Sequence, residues 1–201
     1  MHPNPAFRST PLKDNLAFAR TRGFGILSVN GADGPLAAHI PFDLGDGAVI
    51  LHLARSNPIA RAGLPVPAVL MVSGPDAYVS PDWYGAPDQV PTWNYLAVHL
   101  RGLLEPLPPA ALELHLDAVS AHMEAGLAPK RPWTSAKMTP GAMERLMRMI
   151  VPFRLVIGSV DSTFKLNQNK TPEQRAGAAA GIDGAPMGLE AARIAAMLRK
   201  V

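Results

Sequence analysis

The chain has 201 residues, of which 48% are hydrophobic and 17% are charged, and its net charge is +3. This length suits one domain with a sizeable core, and so weak a positive charge is compatible with an anionic ligand but gives no argument for nucleic-acid binding. Without cysteine there are no disulfides or thiolate metal sites. No apolar stretch reaches the roughly 20 residues of a membrane span, and no signal-peptide core is visible. We therefore expect a cytoplasmic protein, and so few charges favour a homodimer.

The first part of the chain predicts an antiparallel meander. Thr10-Pro11 is typical of a helix start, and Gly23 of the end of that helix. Three apolar runs follow, separated by the hairpin signals "NGADG" and "GDG". These runs predict strands: "FGILSV", "PLAAHIPFDL" and "AVILHLA".

The rest of the chain alternates further strands with helices. "RSNPIARAGL" predicts a short helix, "PAVLMVSG" and "DAYVS" two strands, residues 95–105 another, and "FRLVIGSVDSTFKL" the last. Helices are expected at about 108–126 and 139–150, with a helical tail at about 172–200 that opens on a Thr171–Gln174 capping box. We predict a single domain over residues 1–201. It should be mainly β with helical additions, as an antiparallel barrel or sandwich.

Arg55, Ser56 and Asn57 follow a predicted strand and open a predicted helix. Free N–H groups, a hydroxyl, an amide and a guanidinium together can hold a phosphate. Ser and Asn are also the usual N-caps, so the same segment can be an ordinary cap beside a surface arginine. Both interpretations remain open on the pattern alone.

His39 and His52 lie on neighbouring predicted strands, and His99 is the other strand histidine. No carboxylate sits beside any of them, so the pattern does not support a metal site. Polar strand residues facing a cleft are the favoured interpretation. The nucleophile motif "GxSxG" is absent, which gives triad hydrolysis no support.

Two further segments combine amides with large or charged side chains. "FKLNQNK" contains Lys165, Asn167, Gln168 and Asn169, which suit a polar or anionic ligand but equally a solvated loop. Trp93, Asn94 and Tyr95 could border a flat ligand or a dimer interface, or pack in the core.

Five motifs together resemble one family. "AAHIPF", "LHLARSNP", "AYVSPDWY", "VPTWNYLAVHLRG" and "FKLNQNK" match, in order and spacing, the PaiB-like family of FMN-binding negative transcriptional regulators. The corresponding motifs of that family resemble "SHLPF", "GHVARANP", "AYISPSWY", "VPTWNY-VHV-G" and "FKLSQN". The similarity runs from about Pro3 to about Gly181. The chain departs from the pattern at Ala38 and Asn167, where the family often has Ser.

The resemblance implies a split β-barrel similar to that of pyridoxine phosphate oxidase, working as a homodimer with FMN at the dimer interface. It implies that the strand with His39, Ile40 and Pro41 lines the flavin ring and that the segment "LARSNP", with Arg55, Ser56 and Asn57, receives the phosphate. His52, just before that segment, is also expected among the cofactor-binding residues. Trp93, Asn94 and Tyr95, with Lys165, Asn167, Gln168 and Asn169, would close over the flavin.

Three functions remain compatible with these residues. The first is an FMN-binding regulator, although the scattered Lys and Arg residues show no DNA-binding motif and DNA contact rests on the family alone. The second is a flavin-dependent reductase or oxidase of a small substrate. The third is a heme-binding or heme-degrading split barrel, for which no residue clearly offers an axial ligand. The sequence does not decide whether the protein is an enzyme.

Overall fold

The computed structural model describes residues 1–201 and contains six β-strands and five α-helices. The strands are β1 (Phe24–Gly31), β2 (Gly34–Leu44), β3 (Ala48–Ala54), β4 (Val66–Val79), β5 (Thr92–Pro106) and β6 (Ile150–Lys165). The helices are α1 (Leu12–Arg22), α2 (Ala111–Ala125), α3 (Ala142–Met147), α4 (Pro172–Gly184) and α5 (Ala191–Leu198). No helix is long and apolar enough to cross a membrane.

The chain divides into two compact units. The barrel unit comprises Leu16–Val72 and His99–Val160, and the terminal unit comprises Met1–Asn15, Ser73–Val98 and Asp161–Val201. Strands β4, β5 and β6 have residues in both. The prediction of one domain over residues 1–201 stays a prediction.

The six strands form a closed barrel in the order β1-β2-β3-β6-β5-β4, and each pair with a defined register is antiparallel. The β1–β2 hairpin turns where Gly31 faces Gly34, in the predicted "NGADG" segment. Pairing of Ile26 with Met71 joins β1 to β4 and closes the barrel. The predicted antiparallel split barrel is confirmed.

Alternating side chains build the core of the barrel unit. Along β3, Val49, Leu51 and Leu53 are buried while the residues between them are only partly covered, as a strand with one core face requires. Helix α2 packs on β2 and β3. It presents Leu112, His115 and Val119, whose spacing puts them on one helical face. One polar residue, His115, therefore belongs to the packed face of α2.

Helices α4 and α5 of the terminal unit pack against each other. Thr171 and Gln174 form the predicted capping box at the start of α4: each side chain bonds the other's backbone N–H. The chain before α5 also pairs with β4, because the Asp76 N–H donates to the carbonyl oxygen of Leu189. This pairing covers one edge of β4.

Two elements differ from the sequence prediction. "PAVLMVSG" and "DAYVS" were predicted as two strands, but β4 runs unbroken through Gly74-Pro75. The helix expected at about 139–150 ends at Met147, and β6 begins at Ile150. Ile150 and Val151 are β-branched and favour a strand. They pair with Ala54 and Leu53 of β3.

Candidate functional site

Arg55 is held in place by the main chain at the end of β3. Its guanidinium donates to the carbonyl oxygens of Arg148 (3.1 Å) and Ile150 (3.4 Å). Its backbone N–H donates to the carbonyl oxygen of Met149 (2.8 Å). The side chain is exposed and pairs with no carboxylate. Its charge is thus oriented and remains uncompensated.

The neighbouring residues divide into a cap and an exposed hydroxyl. Asn57 Oδ1 accepts the Ile59 N–H at 2.9 Å, which makes Asn57 the N-cap of a 3-10 helix over Pro58–Arg61. Four residues align few peptide dipoles, so this helix attracts an anion weakly. Ser56 is exposed. Arg55 and Ser56 are therefore better placed than Asn57 to hold a phosphate.

Ser56 also borders an apolar cavity of about 520 Å³ in the barrel unit. Ala54 and Ile150 from the strand ends, Leu116 from α2 and Met143 and Met147 from α3 contribute to its walls. This volume lies within the range of small-molecule pockets. Sequence reasoning missed the cavity, and the cluster of methionines between 138 and 149 is the signal that could have indicated it.

His39, Ile40 and Pro41 alternate across β2. Ile40 is buried in the core, whereas His39 is exposed and Pro41 partly exposed. The His39 ring lies 6.4 Å from that of Phe24. Only His39 and Pro41 therefore reach the outer face, where a flat ligand could lie.

His52 is bound to another histidine rather than facing a cleft. Its Nδ1 lies 3.0 Å from His115 Nε2. Burial lowers the pKa of His52. The pKa of His115 is lowered to about 4, mainly by burial and also by the charge of His52, while the charge of Asp43 opposes the shift. No group of three or more His, Asp or Glu side chains could hold a metal ion.

The aromatic and amide groups of β5 point to opposite sides. Asn94 is fully buried, and neither its Oδ1 nor its Nδ2 has a hydrogen-bond partner. Trp93 and Tyr95 face the other way and line a shallow depression with Ser73 and Asp76. Strand alternation thus separates the amide from the two aromatics.

The "FKLNQNK" segment forms part of a polar pocket of about 310 Å³ in the terminal unit. Lys165, Asn167 and Asn169 line it, together with Lys170 and residues of the first turns of the chain and of Tyr84–Thr92. Gln168 does not, because its side chain accepts from the Leu166 N–H and donates to the Phe164 carbonyl. The other members face a common space.

The predicted site residues therefore fall into two groups. His39, Ile40, Pro41, His52, Arg55, Ser56 and Asn57 belong to the barrel unit, and Trp93, Asn94, Tyr95, Lys165, Asn167, Gln168 and Asn169 belong to the terminal unit. Within the barrel unit the structure brings Arg55 and Ser56 together beside a cavity. Within the terminal unit it brings Lys165, Asn167 and Asn169 together in a pocket.

The barrel and solved structures of similar fold define a split-barrel protein. The chain aligns with the FAD and heme binding protein from Mycobacterium smegmatis at a TM-score of 0.60 and 18% identity, covering 91% of this chain and 82% of the other. It aligns with the flavocytochrome Anf3 from Azotobacter vinelandii at a TM-score of 0.58 and 13% identity, covering 82% and 72%. At these identities the likeness establishes the fold alone.

The family follows from sequence comparison. The family described as "Putative FMN-binding domain" matches residues 1–159, and the chain belongs to it. It is 30% identical over 169 residues to the protease synthase and sporulation protein PAI 2 of Bacillus subtilis (strain 168), covering 82% of this chain and 80% of that protein. The predicted PaiB-like family is confirmed, and the chain is a PaiB-like member of a flavin-binding family.

Proposed function

We propose that this protein binds FMN as a homodimer and acts as a negative transcriptional regulator of the PaiB type. The observation that carries the FMN proposal is the position of Arg55 and Ser56 beside the apolar cavity. A phosphate carries close to two negative charges and is bound well by a guanidinium and a hydroxyl. The isoalloxazine ring is flat and largely apolar, so an adjoining apolar surface suits it.

The other predicted residues of the barrel unit either face the proposed flavin ring or support the surface that does. His39 and Pro41 offer one outer strand face to the ring, while Ile40 and His52 support that region from within the barrel unit. Asn57 positions the phosphate segment as its cap. For the terminal unit, the fully buried Asn94 has two side-chain atoms without partners, which the polar edge of the flavin could satisfy.

Exposed apolar side chains support the homodimer proposal. Three apolar side chains are largely exposed: Leu114 by 78%, Leu146 by 54% and Met149 by 66%. The chain also carries few charges overall. Apolar surface of this kind favours association with a partner. Sedimentation of the purified protein measures its oligomeric state and tests this proposal. A monomer at micromolar concentration would contradict the homodimer.

An FMN titration of the Arg55→Ala variant tests the phosphate site. Loss of the guanidinium should weaken FMN binding by about 1–3 kcal/mol, the scale of a charge-assisted hydrogen bond. Riboflavin lacks the phosphate and should bind both proteins equally. Arg61→Ala removes another exposed arginine nearby and serves as the control. Equal FMN affinity of Arg55→Ala and wild type would place the phosphate elsewhere.

A flavin-dependent reductase or oxidase is the second candidate. It rests on the redox chemistry that a bound flavin supplies; among proteins of this fold, one binds FAD and heme and another is a flavocytochrome. NAD(P)H oxidation that depends on added FMN would support the enzyme. Salt-sensitive, sequence-specific retardation of the upstream DNA of its own gene would support the regulator. Absorbance after reconstitution separates FMN from the heme-binding alternative.

A further inference from the structure

Two lysine ammonium groups face the polar pocket of the terminal unit without any carboxylate partner. Lys165 Nζ is hydrogen-bonded to Thr92 Oγ1, and Lys170 Nζ to Gln89 Oε1. Lys170 Nζ also lies 4.9 Å from the centroid of the Tyr84 ring, a cation–π distance. Neither lysine takes part in a salt bridge. Their positive charges are oriented by neutral groups and are not neutralised.

A buried amide adds an unsatisfied donor to the same pocket. Asn167 is 2% exposed, and its Oδ1 accepts the Tyr84 hydroxyl at 3.2 Å. Its Nδ2 has no hydrogen-bond partner. The backbone of Asn167 is left-handed, with φ of 55°, a conformation that is uncommon for non-glycine residues and that asparagine adopts more readily than most. A buried donor without a partner costs stability that an acceptor on a ligand would recover.

Positive groups outnumber negative ones in the lining of this pocket. Burial lowers the pKa of His2, which also lines it, and the positive charge of Lys165 adds to that shift. Asp88 is the single acidic residue of the lining, and it is exposed. Two ammonium groups against one solvated carboxylate leave a site that attracts anions.

We propose that this pocket is a second ligand site, which binds the oxyanion of a small phosphate or carboxylate compound through Lys165, Lys170 and Asn167. Its volume of about 310 Å³ lies at the small end of ligand pockets. The oxyanion belongs to a substrate or effector and not to the flavin, whose phosphate we assign to Arg55 and Ser56. The site therefore goes beyond the proposed function and does not require it.

The test measures anion binding with and without FMN. Inorganic phosphate and succinate are titrated by calorimetry at constant ionic strength, with chloride as the reference anion, into the wild type and the Lys170→Met and Asn167→Gly variants. Met keeps an unbranched stem over Tyr84, and Gly tolerates the left-handed backbone. Lys200→Met removes a lysine outside the pocket and is the matched control.

We expect phosphate, succinate or both to bind the wild type, whether or not FMN is bound. Lys170→Met and Asn167→Gly should each weaken that binding by about tenfold or more, while Lys200→Met leaves it unchanged. Circular dichroism at the titration temperature shows whether each variant is folded. A variant that does not fold is replaced by Lys165→Met, which tests the other ammonium group.

Two results would overturn the proposal. One is that neither anion binds more tightly than chloride. The other is competition between phosphate and FMN, together with a Lys170→Met variant that binds FMN weakly but riboflavin normally. That pattern would show the cofactor phosphate in this pocket, with FMN binding itself upheld. Absence of any flavin binding would refute the proposed function and leave the anion result standing.

Discussion

His52 Nδ1 on β3 lies 3.0 Å from His115 Nε2 on α2, with the two rings meeting nearly edge to face. A contact this short between neutral imidazoles requires one ring to donate and the other to accept. Two positive rings would repel each other at that distance. Because α2 packs on β2 and β3, we expect protonation of this pair to weaken the attachment of α2.

Acidification should destabilise the protein through His115. Its pKa is about 6.5 in the unfolded chain and about 4 in the folded one, so below pH 6.5 the unfolded state binds more protons. The stability present above pH 6.5 is lost progressively as pH falls towards 4. Between pH 7 and pH 5 we expect a loss of about 2 kcal/mol in the free energy of unfolding. Urea denaturation at both pH values measures it.

His115→Leu provides the comparison for that measurement. Leucine keeps an apolar side chain on the packed face of α2 and removes the titrating group. The variant should lose less stability than the wild type between pH 7 and pH 5. Equal losses in both proteins would show that other groups cause the acid sensitivity.

Gly181→Ala should destabilise the terminal unit. A Cβ at Gly181 would meet the indole of Trp83, which is packed against α4. Since the ring cannot move freely, we expect the free energy of unfolding to fall by about 1–3 kcal/mol, as at other overpacked positions. Gly184→Ala is the matched change in the same helix, because a Cβ there meets nothing within 4 Å. Thermal unfolding should show a lower midpoint for the first variant only, and equal midpoints would contradict the packing argument.

Much of the fold could be predicted because its signals are local. The β1–β2 turn, the Thr171–Gln174 capping box and the alternation of β3 each depend on residues close in the chain. The unbroken β4 could not be predicted, since Gly74-Pro75 is typical of a strand end. Pro75 has no N–H to donate, but the N–H of Asp76, the next residue, donates to the carbonyl oxygen of Leu189, more than a hundred residues away. This distant partner lets the strand continue.

The candidate site was harder to predict for the same reason. Motifs named Lys165 and Asn167, but Tyr84 and Gln89, which contact Asn167 and Lys170, come from a loop some eighty residues earlier. His115, the partner of His52, carries no signal beyond its place on the stripe of α2. Residue types could thus be predicted, whereas pairings between distant segments required the fold.

Thr171→Ala should weaken α4 at its first turn. The threonine hydroxyl accepts the Gln174 N–H at 3.3 Å, and the Gln174 side chain accepts the Thr171 N–H in return. Loss of an N-cap hydroxyl typically costs about 1 kcal/mol. Thr171→Ser keeps the hydroxyl and should retain most of the stability. Equal urea midpoints for the alanine and serine variants would contradict the capping role of the Thr171 hydroxyl.

Gly102→Ala should be the most damaging of these substitutions, because it acts at the contact between β5 and β6. A Cβ at Gly102 would meet the main-chain carbonyl of Val156, and a backbone group in a paired strand cannot turn aside as a side chain can. We expect the free energy of unfolding to fall by about 3 kcal/mol or more, the upper end for overpacking.

Gly158→Ala is the matched change on β6, where the nearest atom, the Arg101 carbonyl oxygen, would lie at 3.8 Å. Since that is an ordinary van der Waals separation, the second variant should stay within about 1 kcal/mol of the wild type by urea denaturation. Similar stabilities for the two variants would mean that the strands separate to accept a methyl group, and that the close β5–β6 approach at Gly102 is not required by the barrel.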